Sequence, residues 1–231
     1  MKISGTRHIQ GNILAEKINY YNSYEIIDIL NRFDYFINTI IDNSNTETIQ
    51  IRKDISQEDE YTQHSMYNQF DVNAKLFHFK DYILKANIVS IFSFFEVSIR
   101  NISRICEKHS PKSNKIDDFK GNNGLVKINK FLKNETPSLT KHTEHWCKLM
   151  IWYKIRNDIV HNNSVITKFN KDIKYESLKY EIDYESNEEI FIFKDEIPVL
   201  SLLKYIKEYL KFIIDGINEE YNLIEHINIE Y

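Results

Sequence analysis

The sequence predicts a mainly α-helical chain: an up-and-down helical bundle with a small β-hairpin inserted before its last helix. Three observations lead there. Apolar residues recur at three- and four-residue spacing through several long stretches. Five glycines and three prolines in 231 residues supply little turn chemistry for an all-β fold. One segment alone, near residues 173–193, switches to a period of two.

The elements follow in order. Residues 13–42 place Ile26, Ile27, Leu30, Phe33, Ile37 and Ile41 at helical spacing, one long amphipathic helix or two, ended by Asn43-Ser44-Asn45. Residues 51–63 are polar without a clear period and read as a loop. Residues 77–109 form a second strong helix, its centre loaded with Ile88, Ile91, Phe92, Phe95, Ile99 and Ile102, and Ser110-Pro111 stops it. A weaker helix over 116–134 is broken at Gly121-Asn122-Asn123-Gly124. Thr136-Pro137-Ser138 links it to a third strong helix over 141–161. The alternating run from Tyr175 to Phe193 flanks Ser186-Asn187 as a hairpin would. Pro198 then opens a last helix, 199–217, with Leu203, Ile206, Leu210 and Ile213 on one face. Residues 1–71 are expected to be a helical extension, and 72–231 the bundle itself.

Composition removes several function classes. So few glycines speak against Rossmann and P-loop sites, which need them at fixed offsets. Two cysteines, Cys106 and Cys147, are too few for a disulfide scaffold or a four-cysteine zinc site. No segment reaches the roughly 18 consecutive apolar residues of a membrane span, and the first dozen residues are polar. The expectation is a cytoplasmic protein without a membrane partner or cofactor.

The net charge of −4 conceals an asymmetry. Between Arg100 and Lys174 stand sixteen Lys/Arg against seven Asp/Glu, while the rest of the chain carries fourteen bases and twenty-seven acids. A basic middle in an acidic protein is the footprint of a polyanion partner, although a solvated lysine-rich face gives the same count.

The third strong helix carries the chemistry. Trp146, Leu149, Met150 and Tyr153 make an apolar stripe that, continued by three and four, runs into Arg156, Asn157, Val160 and His161. RNA cleavage needs a base for the ribose 2′-OH, an acid for the leaving 5′-oxygen and positive charge on the phosphorane. Histidine serves proton transfer near neutral pH and arginine offers phosphate a planar, permanently charged fork. No metal is required by this set. Arg followed by His five to seven positions later is expected by chance about 0.6 times in this chain. Requiring Asn directly after Arg lowers that to about 0.06, which Arg156-Asn157 to His161 meets and Arg104-Ile105 to His109 does not.

Arg156-Asn157-Asp158-Ile159-Val160-His161 resembles the signature of the HEPN superfamily, the higher eukaryotes and prokaryotes nucleotide-binding domains. The helix around Glu96, Arg100 and Asn101 resembles that family's first core helix, and the likeness spans roughly residues 77–221. The resemblance implies a HEPN-like helical bundle and a metal-independent endoribonuclease acting as a homodimer. Arg156 would stabilise the scissile phosphate, His161 would act as general acid or base, Asn157 would orient them, and Glu96 would support the motif. Standalone chains of this kind tend to be toxins or abortive-infection antiviral effectors, held by an antitoxin or regulatory protein. A toxin subgroup carries Tyr two positions after the motif His; here that position is Asn163. The alternative is a non-catalytic helical module that binds a nucleotide or a partner with the same pocket.

Other signals have two readings each. Lys168, Lys171 and Lys174 follow the motif at three-residue spacing and either track an RNA backbone or form a solvated face; Lys127, Lys130 and Lys133 invite the same pair. His142, His145 and Cys147 cannot all point at one metal from a single helix. Trp152, one step off the stripe, is a candidate for a dimer interface.

Overall fold

The computed structural model describes residues 3–57, 59, 61–63, 72–162, 164–165, 179–183, 188–193 and 195–221. The chain is mainly α-helical. Helix α1 (Ile3–Tyr21) continues through a π-helical turn (Asn22–Ile26) into α2 (Ile27–Ser56), followed by α3 (Val72–His109), α4 (Gly124–Glu135), α5 (Thr143–His161) and α6 (Ile197–Tyr221). Two short strands, β1 (Lys179–Asp183) and β2 (Glu188–Ile192), pair antiparallel with Lys179 opposite Ile192 and Asp183 opposite Glu188. The rest of the hairpin segment expected over 173–193 lies largely outside the described residues.

The first helix runs further than its sequence suggests. Asn43-Ser44-Asn45 does not end it, and residues 51–56 are helical rather than loop. Hydroxyls that would favour a turn are bonded back into the helix instead: Thr39 Oγ1 donates to the Tyr35 carbonyl and Thr46 Oγ1 to Asp42, both at 2.8 Å. Gln50 Nε2 reaches Asp54 at 2.6 Å one turn on, and Ile55 is 3% exposed, so burial holds the far end. Elsewhere stop and start signals act locally. Asn123 Oδ1 accepts the Val126 amide at 2.8 Å and caps α4. A 3₁₀ segment, Pro137–His142, leads into α5.

Two compact units share these helices. The first comprises residues 1–31, 93–149 and 204–231; the second comprises 32–92 and 150–203. The division runs across the long helices, and the N-terminal segment contributes to both.

In the first unit α1 lies antiparallel to α6. Gly11 meets the Tyr221 ring, where an added Cβ would stand 3.4 Å away, and Asn218 Nδ2 donates to Asn19 Oδ1 at 2.9 Å. Phe95, Trp146 and Tyr209 pack ring against ring in its core, with Tyr209 Oη donating to the buried Asn129. Glu135, fully buried, accepts hydrogen bonds from Ser110, Tyr221 (2.8 Å) and Asn114 (3.3 Å). A buried carboxylate is tolerable when its lone pairs are filled this way.

In the second unit Leu84, Ile88, Ile91 and Phe92 of α3, Trp152 and Ile155 of α5, and Val199, Leu202 and Leu203 of α6 are buried. Asp81 accepts the Phe193 amide at 2.7 Å and pairs with Lys85 at 2.6 Å, fixing the chain that leaves β2. The stretch Lys80–His109 of α3 is long and apolar enough to cross a membrane by length and composition, with half of its most apolar window buried inside the fold.

Candidate functional site

The inward line of α5 differs from the stripe read in its sequence. Trp146, Leu149, Trp152, Ile155 and Asp158 are buried, at a stride of three, while Met150 and Tyr153 are half-buried and Val160 and His161 exposed. Trp152 is therefore packed inside the chain, 3% exposed, not presented at a surface. The helix is apolar nearly all round here, and the rings decide which side goes in.

The motif sits along the edge of that line, in the second unit. Arg156 is half-buried and its Nη1 donates to Asn157 Oδ1 at 3.0 Å. Its Nε is buried and has no hydrogen-bond partner among the described residues. The half-buried guanidinium keeps its permanent charge beside Asn157, where it can attract an anionic partner. His161, the last residue of α5, is exposed, where a ring can exchange protons with a bound substrate. A positive charge at a helix C-terminus is also favoured by the helix dipole.

The end of α5 is clamped. The Asp158 carbonyl accepts the amides of Asn162 (3.0 Å) and Ser164 (2.9 Å), and Asn162 accepts Val165 (2.8 Å). Ser164 takes a positive φ of 68°, uncommon outside glycine, which turns the chain back over the helix end. The Asp158 side chain, 4% exposed, accepts from Asn162 Nδ2 at 3.0 Å. Val165 then bridges to Ile190 of β2, so the strand pair is tied to the segment just after the motif. Sequence reasoning passed over Asp158 and Asn162; their i, i+4 spacing at a helix end was the available signal.

The other candidates fall in different places. Glu96 is half-buried on α3 in the first unit and makes no hydrogen bond or ion pair there among the described residues. Lys168, Lys171, Lys174 and Asn163 lie outside the described residues. The second lysine series, in the first unit, is tied down locally: Lys127 faces Asp117 at 3.9 Å, Lys130 donates to the Lys120 carbonyl at 2.8 Å, and Lys133 donates to Thr143 at 3.1 Å.

His142, His145 and Cys147 diverge as their spacing requires. His142 stacks on Phe212 with ring centres 3.6 Å apart, His145 meets Glu208 at 3.1 Å, and Cys147 is exposed. Desolvation, then His145 and Lys141, hold the His142 imidazole below its usual range. Among the described residues no three His, Cys, Asp or Glu side chains are grouped to hold a metal ion.

The chain matches no protein-family model, no curated protein and no solved structure.

Proposed function

We propose that the chain is a metal-independent endoribonuclease of HEPN type, and that Arg156, Asn157 and His161 are its catalytic residues. The observation that carries the reading is the placement of Arg156: its half-buried guanidinium is steadied by Asn157 at 3.0 Å in the last turns of the helix. An exposed histidine stands five residues on, at a helix end held by Asp158 and Asn162.

In the reaction proposed, a base takes the proton of the ribose 2′-OH and that oxygen attacks the adjacent phosphorus. The P–O5′ bond breaks, an acid protonates the leaving 5′-oxygen, and Arg156 neutralises the charge gathering on the phosphoryl oxygens. The products are a 2′,3′-cyclic phosphate and a 5′-hydroxyl. One His161 supplies one proton-transfer group; two copies facing each other in a homodimer supply both, and activity is then bell-shaped in pH. Lys168, Lys171 and Lys174 are assigned to RNA backbone binding. A cytoplasmic toxin or phage-defence effector, restrained by an antitoxin or regulatory protein, is the biological role that goes with this chemistry.

The test is cleavage of total RNA by the purified chain in EDTA, with end-group analysis. Cutting that survives EDTA and leaves cyclic-phosphate ends supports the proposal. Cutting abolished by EDTA, or products with 3′-hydroxyl ends, would overturn it. No cutting of any RNA supplied would favour the binding module instead.

A further inference from the structure

A cavity of about 330 Å³ opens in the first unit, on the α1–α6 side, outside the motif. One wall is the π-helical turn and the start of α2; the other is α6. The π turn has a visible consequence. Ile18, Asn22, Ile26 and Leu30 stand four residues apart on the inward line, a stride longer than a regular α-helix keeps on one face. The wider turn, closed by the Ile27 amide on the Asn22 carbonyl, absorbs the difference. It also sets a half-buried amide, Asn22, between two buried isoleucines, where packing alone would call for an apolar side chain. π turns of this sort occur frequently at functional sites.

The cavity has a sharp chemical division. Its floor is branched aliphatic: Ile26, Leu30, Leu210 and Ile214 are each no more than 5% exposed, and Ile27 forms an open edge. Among the described residues no aromatic ring lines it. Its rim carries, among the described residues, Lys207 and Lys211, one turn apart on α6, with the Asp215 carboxylate beside them and Asn22 and Asn31 opposite. The size is at the lower end for a small-molecule site, and a greasy floor beneath a few convergent polar groups is the usual pattern of one.

We propose that this cavity binds a single-chain amphipathic monoanion, an alkyl carboxylate. The alkyl chain lies on the isoleucine–leucine floor, and the carboxylate meets Lys211 on the rim while accepting from the Asn22 amide. A flat aromatic or nucleobase ligand is disfavoured because nothing there stacks on it. A dianion is disfavoured because the Asp215 carboxylate stands on the same rim. The site is independent of the ribonuclease reading.

Calorimetric titration of the full chain with decanoate, kept below its micelle-forming concentration, and with decanol as the neutral probe, decides it. The expected result is saturable one-to-one decanoate binding, abolished by Ile27→Trp, which fills the open edge from an exposed position. Lys211→Glu should weaken decanoate by about tenfold and leave decanol unchanged. Thermal unfolding of both variants, measured alongside, should match wild type, since neither residue is in the core. Absence of saturable binding, binding that Ile27→Trp leaves intact, or equal loss of decanoate and decanol in Lys211→Glu overturns the proposal.

Discussion

Alkaline pH should unfold the first unit through three buried protons. Cys106 and Tyr209 are 0% exposed and Tyr221 8%. Burial pushes all three up from ordinary values of 9.0 for the thiol and 10.0 for the phenols. Glu135 adds to the effect on Cys106 by its charge; at Tyr221 it does so by accepting the phenol's hydrogen bond, which Ser110 opposes. The folded chain therefore keeps protons that the unfolded chain has released. The stability they contribute is complete below about pH 9 and declines as pH rises past the ordinary values towards the raised ones. Each group costs about 1.36 kcal/mol per pH unit over that interval. The loss is about 1.4 kcal/mol per unit between pH 9 and 10 and about 4 kcal/mol per unit above pH 10, or about 5 kcal/mol by pH 11. That equals the whole stability of many domains. In a Trp152→Phe background, Trp146 is the sole tryptophan and sits 5.7 Å from the Tyr209 ring, so its fluorescence reports on this unit. Urea melts from about pH 8 to 11 should give the curved decline, and Tyr221→Phe should cut the slope above pH 10 by about one third. A stability that stays flat to pH 11, or a slope that Tyr221→Phe leaves unchanged, would refute the reasoning.

Three further outcomes are expected. Asp81→Ala removes the carboxylate that pairs with the buried Lys85 and accepts the Phe193 amide, and should cost about 3–5 kcal/mol in urea unfolding; a loss under about 1 kcal/mol would show that this carboxylate does not hold the two together. Ser98, fully buried, has a hydroxyl with no hydrogen-bond partner among the described residues, so Ser98→Ala should be neutral or raise the melting temperature, and a drop of several degrees would contradict this. Asp158→Ala removes the carboxylate hydrogen bond to Asn162, among its contacts, of about 1.5–3 kcal/mol and relieves about 0.3–1 kcal/mol of repulsion at the helix C-terminus, a net cost of at least about 0.5–2.7 kcal/mol. Amide exchange at Asn162 and Ser164 should speed up accordingly, and unchanged protection there would mean that the side chain does not hold the turn.

The helical class was legible because long stretches keep apolar residues on one side, as in α3 and α6, where burial follows the expected faces. Local signals were less decisive. Asn43-Ser44-Asn45 reads as a stop, yet helix continuation is decided by the buried Ile55 and by hydroxyls that bond to carbonyls four residues back. In α5 the difficulty was degeneracy. Between Trp146 and Ile155 nearly every residue is apolar, so periodicity alone cannot select a face, and the structure selects the one bearing both tryptophans. The same choice carries Asp158 inward and leaves His161 outside. The Arg156–Asn157 contact was foreshadowed by their place in the motif, whereas the clamp around Asp158 depends on a left-handed Ser164 that no residue preference announces. The π turn was invisible for a similar reason: a four-residue stride looks like ordinary helical spacing until three such steps follow one another.

The central claim is that Arg156 and His161 cut RNA. Its most direct test is the cleavage rate of wild type, Arg156→Ala and His161→Ala on the same RNA in EDTA, each first shown to unfold at the wild-type urea midpoint. His161 is exposed, so its loss should not disturb the fold. The account predicts cutting by wild type and a fall of about 10²–10⁴-fold in His161→Ala, with a comparable loss in Arg156→Ala. Cleavage that persists at the wild-type rate in a folded His161→Ala chain would contradict it.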